Sequence, residues 1–220
     1  MPRSAGKQSS AAAEAPPAPV RRQRNRRGEG GRLRTELIEA AARLLEASGD
    51  AHAVTLTAVA REAGIATPSI YRHFADRDQI IEAVVADRFQ RLDHALTEAM
   101  AAAPGPAAAL RACCDAYCRF GLEHPGHYQV LFSARLPGHS APPAGGLSDR
   151  PGARVFGRLI AAVQACIDAG CAHPGEAAFM AVNVWVALHG IVSLRTSRPN
   201  HPWPPVAALV AAALSGQVGV

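Results

Sequence analysis

Hydrophobic residues recur along most of the chain with the spacing of an α-helix. Leu37, Ala41, Leu44 and Leu45 fall on one helical face and predict an amphipathic helix that begins at Arg32 and ends near Gly49. Similar stripes predict further helices over residues 55–63, 67–74, 76–100, 127–134, 153–169, 175–197 and 206–214, and another that carries Leu110, Cys114, Tyr117, Cys118 and Gly121. The sequence has no alternating strand pattern of useful length. The expected fold class is therefore all-α.

Residue types that begin and end helices mark two short segments. Thr55 is placed to cap the helix 55–63, and Gly64 is placed to end it in a left-handed conformation. Thr67 is expected to cap the next helix, with Pro68 at the first helical position, where its missing N–H costs nothing. Two short helices joined by a tight turn are therefore predicted.

The longer helices carry similar signals. Asp76, with Gln79 three residues later, predicts a capping box at the start of a long helix. Gly170 is expected to end the helix before it. Residues 175–197 are apolar nearly all round, so this helix needs cover on most sides, from its own domain or from a second subunit.

Charge is unevenly distributed along the chain. Residues 1–36 contain nine basic and three acidic residues, a net charge of +6. The net charge of the whole chain is +5, so the remaining residues are close to neutral. Residues 1–30 are rich in Ala, Pro, Ser, Gly and Arg and are predicted to be a disordered basic arm. Residues 135–152, with four prolines and four glycines, are predicted to be a mobile loop. A polyanionic partner is indicated at the N-terminal end only.

The composition argues against several classes of protein. No run approaches about 18 uninterrupted apolar residues, so we expect no membrane span. The N-terminus has no apolar stretch of the kind found in secretory signals. Five cysteines do not suit a disulfide framework, so a reducing cytoplasm is the expected location.

Enzyme motifs are also missing from the sequence. It contains no GxSxG, P-loop, GxGxxG or HExxH pattern. His124, His127 and His139 have no carboxylates at metal-binding spacing. We therefore expect no catalytic residues, no metal and no cofactor. Turnover of a small molecule by the purified protein would revive the alternative of an enzyme with a helical domain.

The segment 55–77 has the pattern of a helix–turn–helix. Its two short helices meet at Gly64, and Ile70 and Phe74 are expected to be buried. Burial of these two residues leaves a row of potential hydrogen-bond donors on the outer face of the second helix: Thr67, Ser69, Tyr71, Arg72 and His73. Base edges and phosphates in the DNA major groove accept such bonds. A glycine-containing turn between short helices also occurs in proteins with no DNA role, so this pattern alone leaves the function open.

Further residues go beyond a generic helix–turn–helix. They are Leu37, Ala41, Leu44, Thr55, Val59, Ala60, Ala63, Gly64, Ile65, Ser69, Ile70, Tyr71, Phe74, Asp76, Arg77 and Asp78. With them, residues 33–80 resemble the TetR family of transcriptional repressors. The Tyr71-x-x-Phe74 ending is the part that a generic motif would not supply.

The resemblance implies roles for residues of the two short helices. Tyr71 and His73 would contact phosphates, and Thr55 and Thr57 would meet the DNA backbone at the start of the preceding helix. The residues nearest the bases would be Thr67, Pro68, Ser69 and Arg72. Arg77 stands where the family usually has lysine, and arginine can make the same phosphate contact.

Two motifs in the second half carry a further resemblance. They are Trp185-x-x-x-His189-Gly190 and His124-Pro125-x-x-Tyr128-x-x-x-Phe132. Together they resemble the WHG-type C-terminal domain of some TetR-family members, which implies a dimer with an effector pocket. A four-helix interface would then be built from residues 175–197 of each subunit together with 153–169 or 206–214.

Five residues are candidates for effector binding: Tyr117, Tyr128, Phe132, Trp185 and His189. Trp185 and His189 lie one turn apart on the same helical face. The same two residues also suit a simpler role, with Trp185 packed in the core and His189 a satisfied internal histidine.

The cysteines allow two interpretations. Cys114 and Cys118 share a helical face, with Cys113 adjacent, whereas Cys166 and Cys171 lie elsewhere in the sequence. Such a cluster suits a thiol-based redox or metal sensor. Free cysteines are equally at home in a core as small hydrophobic residues.

These observations predict three regions and a regulatory function. The regions are a basic arm (1–30), a helix–turn–helix domain (31–80) and a helical effector-binding and dimerisation domain (81–220). We expect a homodimeric repressor that binds a palindromic operator in double-stranded DNA and is released by an unidentified small molecule. The alternative is an architectural or constitutive DNA-binding protein with no effector.

Overall fold

A computed structural model describes residues 30–48, 51–132 and 152–220. The helices in these ranges are α1 (Gly30–Ser48), α2 (Leu56–Glu62), α3 (Thr67–Ile70), α4 (Arg77–Ala101), α5 (Pro106–Glu123), α6 (Pro125–Phe132), α7 (Ala153–Asp168), α8 (Ala177–Ser197) and α9 (Val206–Gln217), with one 3₁₀ turn at Ala51–Ala53. The described residues contain no strand, and the all-α prediction is confirmed. The predicted arm (apart from Gly30), the predicted loop 135–152 (apart from Gly152) and Gly49 lie outside the described residues.

Side-chain caps fix the ends of α2 and α4 as the sequence predicts. The Thr55 hydroxyl oxygen accepts the N–H of Ala58 at 3.1 Å, and Gly64 has a φ of +67° after the end of α2. At the start of α4, the Asp76 carboxylate accepts the N–H of Gln79 at 2.9 Å. The Gln79 side chain in turn accepts the N–H of residue 75 at 3.0 Å, one residue earlier than in a standard capping box.

The second short helix differs from the prediction. Ala66, and not Thr67, is its N-cap, because the carbonyl of Ala66 already accepts the N–H of Ser69 at 2.9 Å and Thr67 lies inside the helix. The regular part of α3 ends at Ile70, although the prediction placed its end at Phe74. The N–H of Phe74 still donates to the Ile70 carbonyl at 3.0 Å, so the chain continues as a helical turn.

Helices α1, α2 and α3 enclose one small apolar core. We call residues 67–74, which are α3 and the helical turn after it, the α3 segment. Five apolar residues are buried in this core: Leu37 and Ala41 of α1, Val59 of α2, and Ile70 and Phe74 of the α3 segment. Each of these positions comes from the hydrophobic pattern of the sequence. Their burial turns the opposite side of α3 towards solvent.

The second half of the chain is built around α5. This helix packs along α4 and also contacts α6, α7, α8 and α9, while α8 packs against α7 and α9. Met180, Val184, Leu188 and Val192 of α8 are buried in this body. Among the described residues, α8 is the one helix whose length and mean hydropathy would suit a membrane span. Its buried face shows that it belongs to the helical core.

Two buried charges on α4 connect it to its neighbours. Arg88 is 1% exposed, and its guanidinium contacts the Glu39 carboxylate of α1 at 2.9 Å. Asp93, 8% exposed, accepts hydrogen bonds from Arg154 and Arg158 of α7 at 3.0 and 2.7 Å. Arg88 also contacts the Asp87 carboxylate of α4 at 2.5 Å. A buried charge that lost all of its partners would cost about 3–5 kcal/mol. These ion pairs therefore connect α4 to both α1 and α7.

Gly121 allows α5 to approach its neighbours closely. A Cβ at this position would lie 2.6 Å from a methyl group of Val192 and 2.8 Å from the ring of Tyr128. These distances are too short for any L side chain without movement of α8 or α6. The glycine is thus a packing requirement between three helices.

Gly121→Ala should therefore destabilise the protein by about 1–3 kcal/mol through overpacking. Gly157→Ala is the matched control, because a Cβ there meets no atom within 4 Å and alanine raises helix propensity by up to about 1 kcal/mol. Urea unfolding followed by far-UV circular dichroism measures both. Equal effects of the two substitutions would contradict the packing argument.

Candidate DNA interface and aromatic cluster

The α3 segment presents the predicted donors on its outer side. Pro68, Tyr71 and Arg72 are exposed, and Tyr71 retains 58% of its accessible surface despite its size. Three further predicted residues, Thr67, Ser69 and His73, are partly exposed. This arrangement follows from burial of Ile70 and Phe74, which fixes the rotation of the helix. The predicted DNA contacts thus lie on one accessible surface, and their individual roles stay predictions.

The start of α2 adds two hydroxyl groups to this surface. Thr55 and Thr57 are both exposed. The Thr55 oxygen is occupied as an acceptor in the cap of α2, but its hydroxyl proton can still be donated to a phosphate oxygen. Both side chains therefore suit the backbone contacts predicted for them.

Arg77 is held in place at the start of α4. Its guanidinium lies 3.2 Å from Nδ1 of His52 and 3.1 Å from the Asp78 carboxylate. The side chain is about one-third exposed. An oriented arginine at this position can present its remaining N–H groups to a phosphate.

The sequence predicted no specific contact for Arg34, but the structure shows one. Its guanidinium carbon lies 4.9 Å from the centre of the Phe74 ring, on the edge of the α3 core. This contact brings a basic group of α1 next to the α3 segment. The signal in the sequence was the cluster of arginines before α1, which gave the charge but not the position of any one residue.

The five predicted effector residues meet in one place between α5, α6 and α8. The indole N–H of Trp185 donates to the Tyr117 hydroxyl oxygen at 3.1 Å, and the hydroxyls of Tyr117 and Tyr128 are 2.9 Å apart. The Tyr128 hydroxyl lies 2.6 Å from Nδ1 of His189. We call Tyr117, Tyr128, Phe132, Trp185 and His189 the aromatic cluster.

The hydrogen bonds of the aromatic cluster form one chain. Trp185 can only donate, so the Tyr117 hydroxyl oxygen accepts its N–H. The hydroxyls of Tyr117 and Tyr128 and Nδ1 of His189 continue the chain. Burial lowers the pKa of His189, which favours the neutral ring. Nε2 of the ring is 3.4 Å from the hydroxyl of Ser193. Burial also raises the pKa of both tyrosines, so neither ionises near neutral pH.

Aromatic packing completes the cluster. The centre of the Phe132 ring lies 4.8 Å from those of Tyr128 and His189 and 6.1 Å from that of Trp185. Phe89 of α4 is 6.2 Å from Phe132 on the other side. Sequence reasoning missed Phe89 and Ser193. The i, i+4 spacing of His189 and Ser193 was a signal for the second, whereas nothing local pointed to the first.

Helix α6 also contacts α1. Nε2 of His127 lies 2.8 Å from the Glu46 carboxylate of α1, and a Cβ on Gly126 would lie 2.5 Å from the Glu46 side chain. Burial, assisted by the charge of Arg88, lowers the pKa of His127 to about 4. The ring therefore stays neutral beside the Glu46 carboxylate near pH 7. One short helix thus joins the aromatic cluster to α1.

Two family models match this chain. One, described as bacterial regulatory proteins of the tetR family, matches residues 37–84, and the other, described as a tetracyclin repressor-like C-terminal domain, matches residues 110–216. The chain belongs to the TetR family. It is a DNA-binding transcriptional regulator, and the residues that carry the two resemblances lie within these matches.

Solved structures share the fold of this chain. A protein of unknown function from Rhodococcus sp. RHA1 is 27% identical, with a TM-score of 0.72 over 87% of this chain and 96% of its own. A TetR family regulator from Marinobacter aquaeolei VT8 is 17% identical, with a TM-score of 0.69 over 88% and 99%. A TetR family regulator from Thermus thermophilus is 20% identical, with a TM-score of 0.63 over 82% and 96%. The last two show the fold alone.

The cysteines of α5 occupy the core of this regulator. Cys113, Cys114 and Cys118 are all buried. Burial raises the pKa of Cys113 to about 11 and that of Cys118 to about 12, and it raises that of Cys114 as well. Since all three thiols are buried and none has an exposed cysteine beside it through which a reagent could enter, these positions favour packing over sensing. Within the described ranges, no group of three or more His, Cys, Asp or Glu side chains is placed to hold a metal ion.

Removal of the Tyr128 hydroxyl should cost about 1–2 kcal/mol of stability, because Tyr128→Phe leaves Tyr117 and His189 without their shared partner. Tyr71→Phe is the matched control, since its ring is exposed. Urea unfolding at pH 7 compares the two variants. If they unfold at the same concentration of urea, the hydrogen-bond chain contributes nothing measurable.

Proposed function

We propose that this TetR-family regulator is a homodimeric repressor that leaves a palindromic operator when a small molecule enters the aromatic cluster. The observation that carries the proposal is the double contact of α6. Tyr128 and Phe132 of α6 belong to the aromatic cluster, while His127 of the same helix contacts Glu46 of α1. Its place of action is the cytoplasm, where the DNA of a bacterial regulator lies.

The exposed surface of the α3 segment supports the role in DNA reading. A short helix reaches only a few base pairs, so two copies related by two-fold symmetry would read two half-sites about 34–36 Å apart. Arg72 is the predicted residue best suited to the bases, because arginine can make paired hydrogen bonds with guanine. Tyr71 and His73 would fix the position of the helix through phosphates.

The full chain can be used to select its preferred site from a random duplex library. Arg72→Ala should then weaken binding to that site by roughly 5- to 150-fold, the cost of one lost paired contact of about 1–3 kcal/mol. Arg119→Ala, at an exposed arginine of α5, is the charge-matched control. Fluorescence anisotropy at fixed salt measures both. A loss no greater for Arg72→Ala than for the control would remove Arg72 from the interface.

An exposed apolar face on α8 supports dimerisation. Phe179 is 66% and Val186 60% exposed, and Val182 and Leu194 extend the same face. Monomeric soluble proteins rarely leave such a contiguous stripe in water. The neighbouring α9 presents small exposed residues such as Ala208 and Ala212. By contrast, α7 turns Arg154, Gln164 and Asp168 outward. The pair α8 and α9 therefore fits a four-helix interface better than α8 and α7.

Placing a charge at the centre of this face tests the interface. Val186→Arg should convert a dimer to a monomer in sedimentation velocity, because the guanidinium would be buried without a partner. Ala161→Arg on the exposed side of α7 should leave the dimer intact. A monomeric wild-type protein, or dissociation by Ala161→Arg alone, would contradict the α8–α9 interface.

Effector release would follow from competition for space in the aromatic cluster. The five rings fill the site by contacting one another, so a ligand must separate them. Separation of Phe132 from Phe89 would displace α6 relative to α4, and α6 also contacts α1. Release requires only that the ligand binds more tightly to the displaced arrangement than to the one that fits the operator.

The chemistry of the cluster favours an uncharged ligand. Its surfaces are aromatic, its hydroxyls can donate or accept, and none of its five side chains carries a charge at neutral pH. A largely apolar molecule with one or two hydrogen-bonding groups matches this lining. Anisotropy on the selected site, titrated with a panel of such molecules, tests release directly.

An architectural protein without an effector is the second candidate. It rests on the arginine-rich residues 1–30, which would supply nonspecific attraction to phosphates. That alternative requires no enriched sequence in the library selection and a loss of nearly all affinity when residues 1–29 are deleted. A repressor should lose affinity about equally across sites and keep its preferred one.

A further inference from the structure

The C-terminal end of α7 forms a complete Schellman motif. Gly170 has a φ of +67°, its N–H donates to the Ile167 carbonyl at 3.0 Å, and the next N–H, that of Cys171, donates to the Cys166 carbonyl at 3.0 Å. This pair of bonds satisfies carbonyls that the helix would otherwise leave without partners. It also brings Cys166 and Cys171 next to each other.

The same motif ends α2, where it has an ordinary function. There the N–H of Ile65 donates to the Ala60 carbonyl at 2.9 Å after Gly64. In a Schellman motif the side chains at these two positions make a hydrophobic contact across the helix end. At α2 they are isoleucine and alanine. At α7 both positions are cysteines, so the motif holds two thiols together.

The side chain of Cys171, just after α7, turns back to the last turn of that helix. The Cys171 thiol donates to the Cys166 carbonyl, with its sulfur 3.4 Å from the oxygen. Burial raises the pKa of Cys166 to about 11, and the charge and hydrogen bond of the Cys171 thiol add to this. Cys166 is buried whereas Cys171 is exposed. An external reagent can therefore reach one thiol of the pair and then be displaced by the other.

We propose that Cys166 and Cys171 are a redox-active dithiol that forms a reversible disulfide within the chain. The oxidant is a low-molecular-weight disulfide. The Cys171 thiolate attacks one of its sulfurs and releases one thiolate. The Cys166 thiolate then attacks the Cys171 sulfur of the mixed disulfide and releases the second. The two protons lost by the cysteines go to the two released thiolates, so one small disulfide is reduced to two thiols.

The helix end makes the second step favourable. The backbone bonds already hold the two residues together in the reduced protein, so ring closure loses little chain entropy and the effective concentration of Cys166 is high. The disulfide would lie beside the connection from α7 to α8. There the N–H of His173 donates to the Val218 carbonyl after α9 at 2.8 Å. Oxidation would thus stiffen the segment that leads into α8, whether or not the proposed repressor function is correct.

Peptide mapping tests the proposal on the full chain. Trypsin cleavage after arginine places Cys166 and Cys171 in the peptide 159–195, whereas the three cysteines of α5 fall in the peptide 112–119. The protein is equilibrated with mixtures of reduced and oxidised glutathione, trapped with iodoacetamide, digested without reduction and weighed. As the buffer becomes oxidising, the peptide 159–195 should change from its doubly alkylated mass to a mass two hydrogens below that of the unalkylated peptide. The peptide 112–119 should be fully alkylated after denaturation.

Variants separate an internal disulfide from simple exposure of one thiol. Cys166→Ser should stop at the mixed disulfide of Cys171 with glutathione, and Cys171→Ser should leave Cys166 reduced. Cys118→Ser is the matched control and should oxidise like the wild type. Two results with the wild-type protein would overturn the proposal. One is accumulation of the mixed disulfide, as in Cys166→Ser, and the other is a disulfide through Cys171 that links two chains. The peptide map of the wild-type protein tests the proposal by itself, so the test stays valid even if a variant folds poorly.

Discussion

The buried guanidinium of Arg88 sets the arrangement on which both halves of this regulator depend. It lies in α4, which begins directly after the DNA-binding segment and continues into the C-terminal body. A buried charge must be paired, and the carboxylate of Glu39 in α1 pairs it across the helix interface. About one and a half turns later, Asp93 is bound by Arg154 and Arg158 of α7. Opposite charges thus connect α4 to α1 on one side and to α7 on the other.

A second connection runs through α6 and differs in its chemistry. Its contact with α1 is a neutral histidine beside a carboxylate, and its contact with the body is a set of rings and hydroxyls. Contacts of this kind can be exchanged for contacts with a ligand at smaller cost than a buried ion pair. The two connections therefore have different strengths. The stronger one preserves the fold, and the weaker one is suited to respond to a bound molecule.

Local chemistry explains what the sequence could reveal. Thr55, Gly64, Asp76 and Gly170 act on backbone groups within a few residues, so their effects were predictable and are confirmed. The N-cap of α3 was misassigned because Ala66 satisfies the backbone without a side chain. Resemblance pointed to Trp185, His189, Tyr128 and Phe132, but their bonds depend on how α5, α6 and α8 cross. The pairing of Arg88 with Glu39 and the contact of Phe89 with Phe132 join residues far apart in sequence, and no local pattern reports them.

The two faces of α8 link effector binding to dimerisation in the proposed repressor. Trp185 turns towards the aromatic cluster, whereas the next residue, Val186, lies on the exposed apolar face. Because a helix is stiff over this length, a rotation that withdraws Trp185 from Tyr117 also turns Val186 against the partner subunit. Ligand binding in one subunit would therefore change its contacts with the other subunit through the same helix, and no separate pathway would be needed.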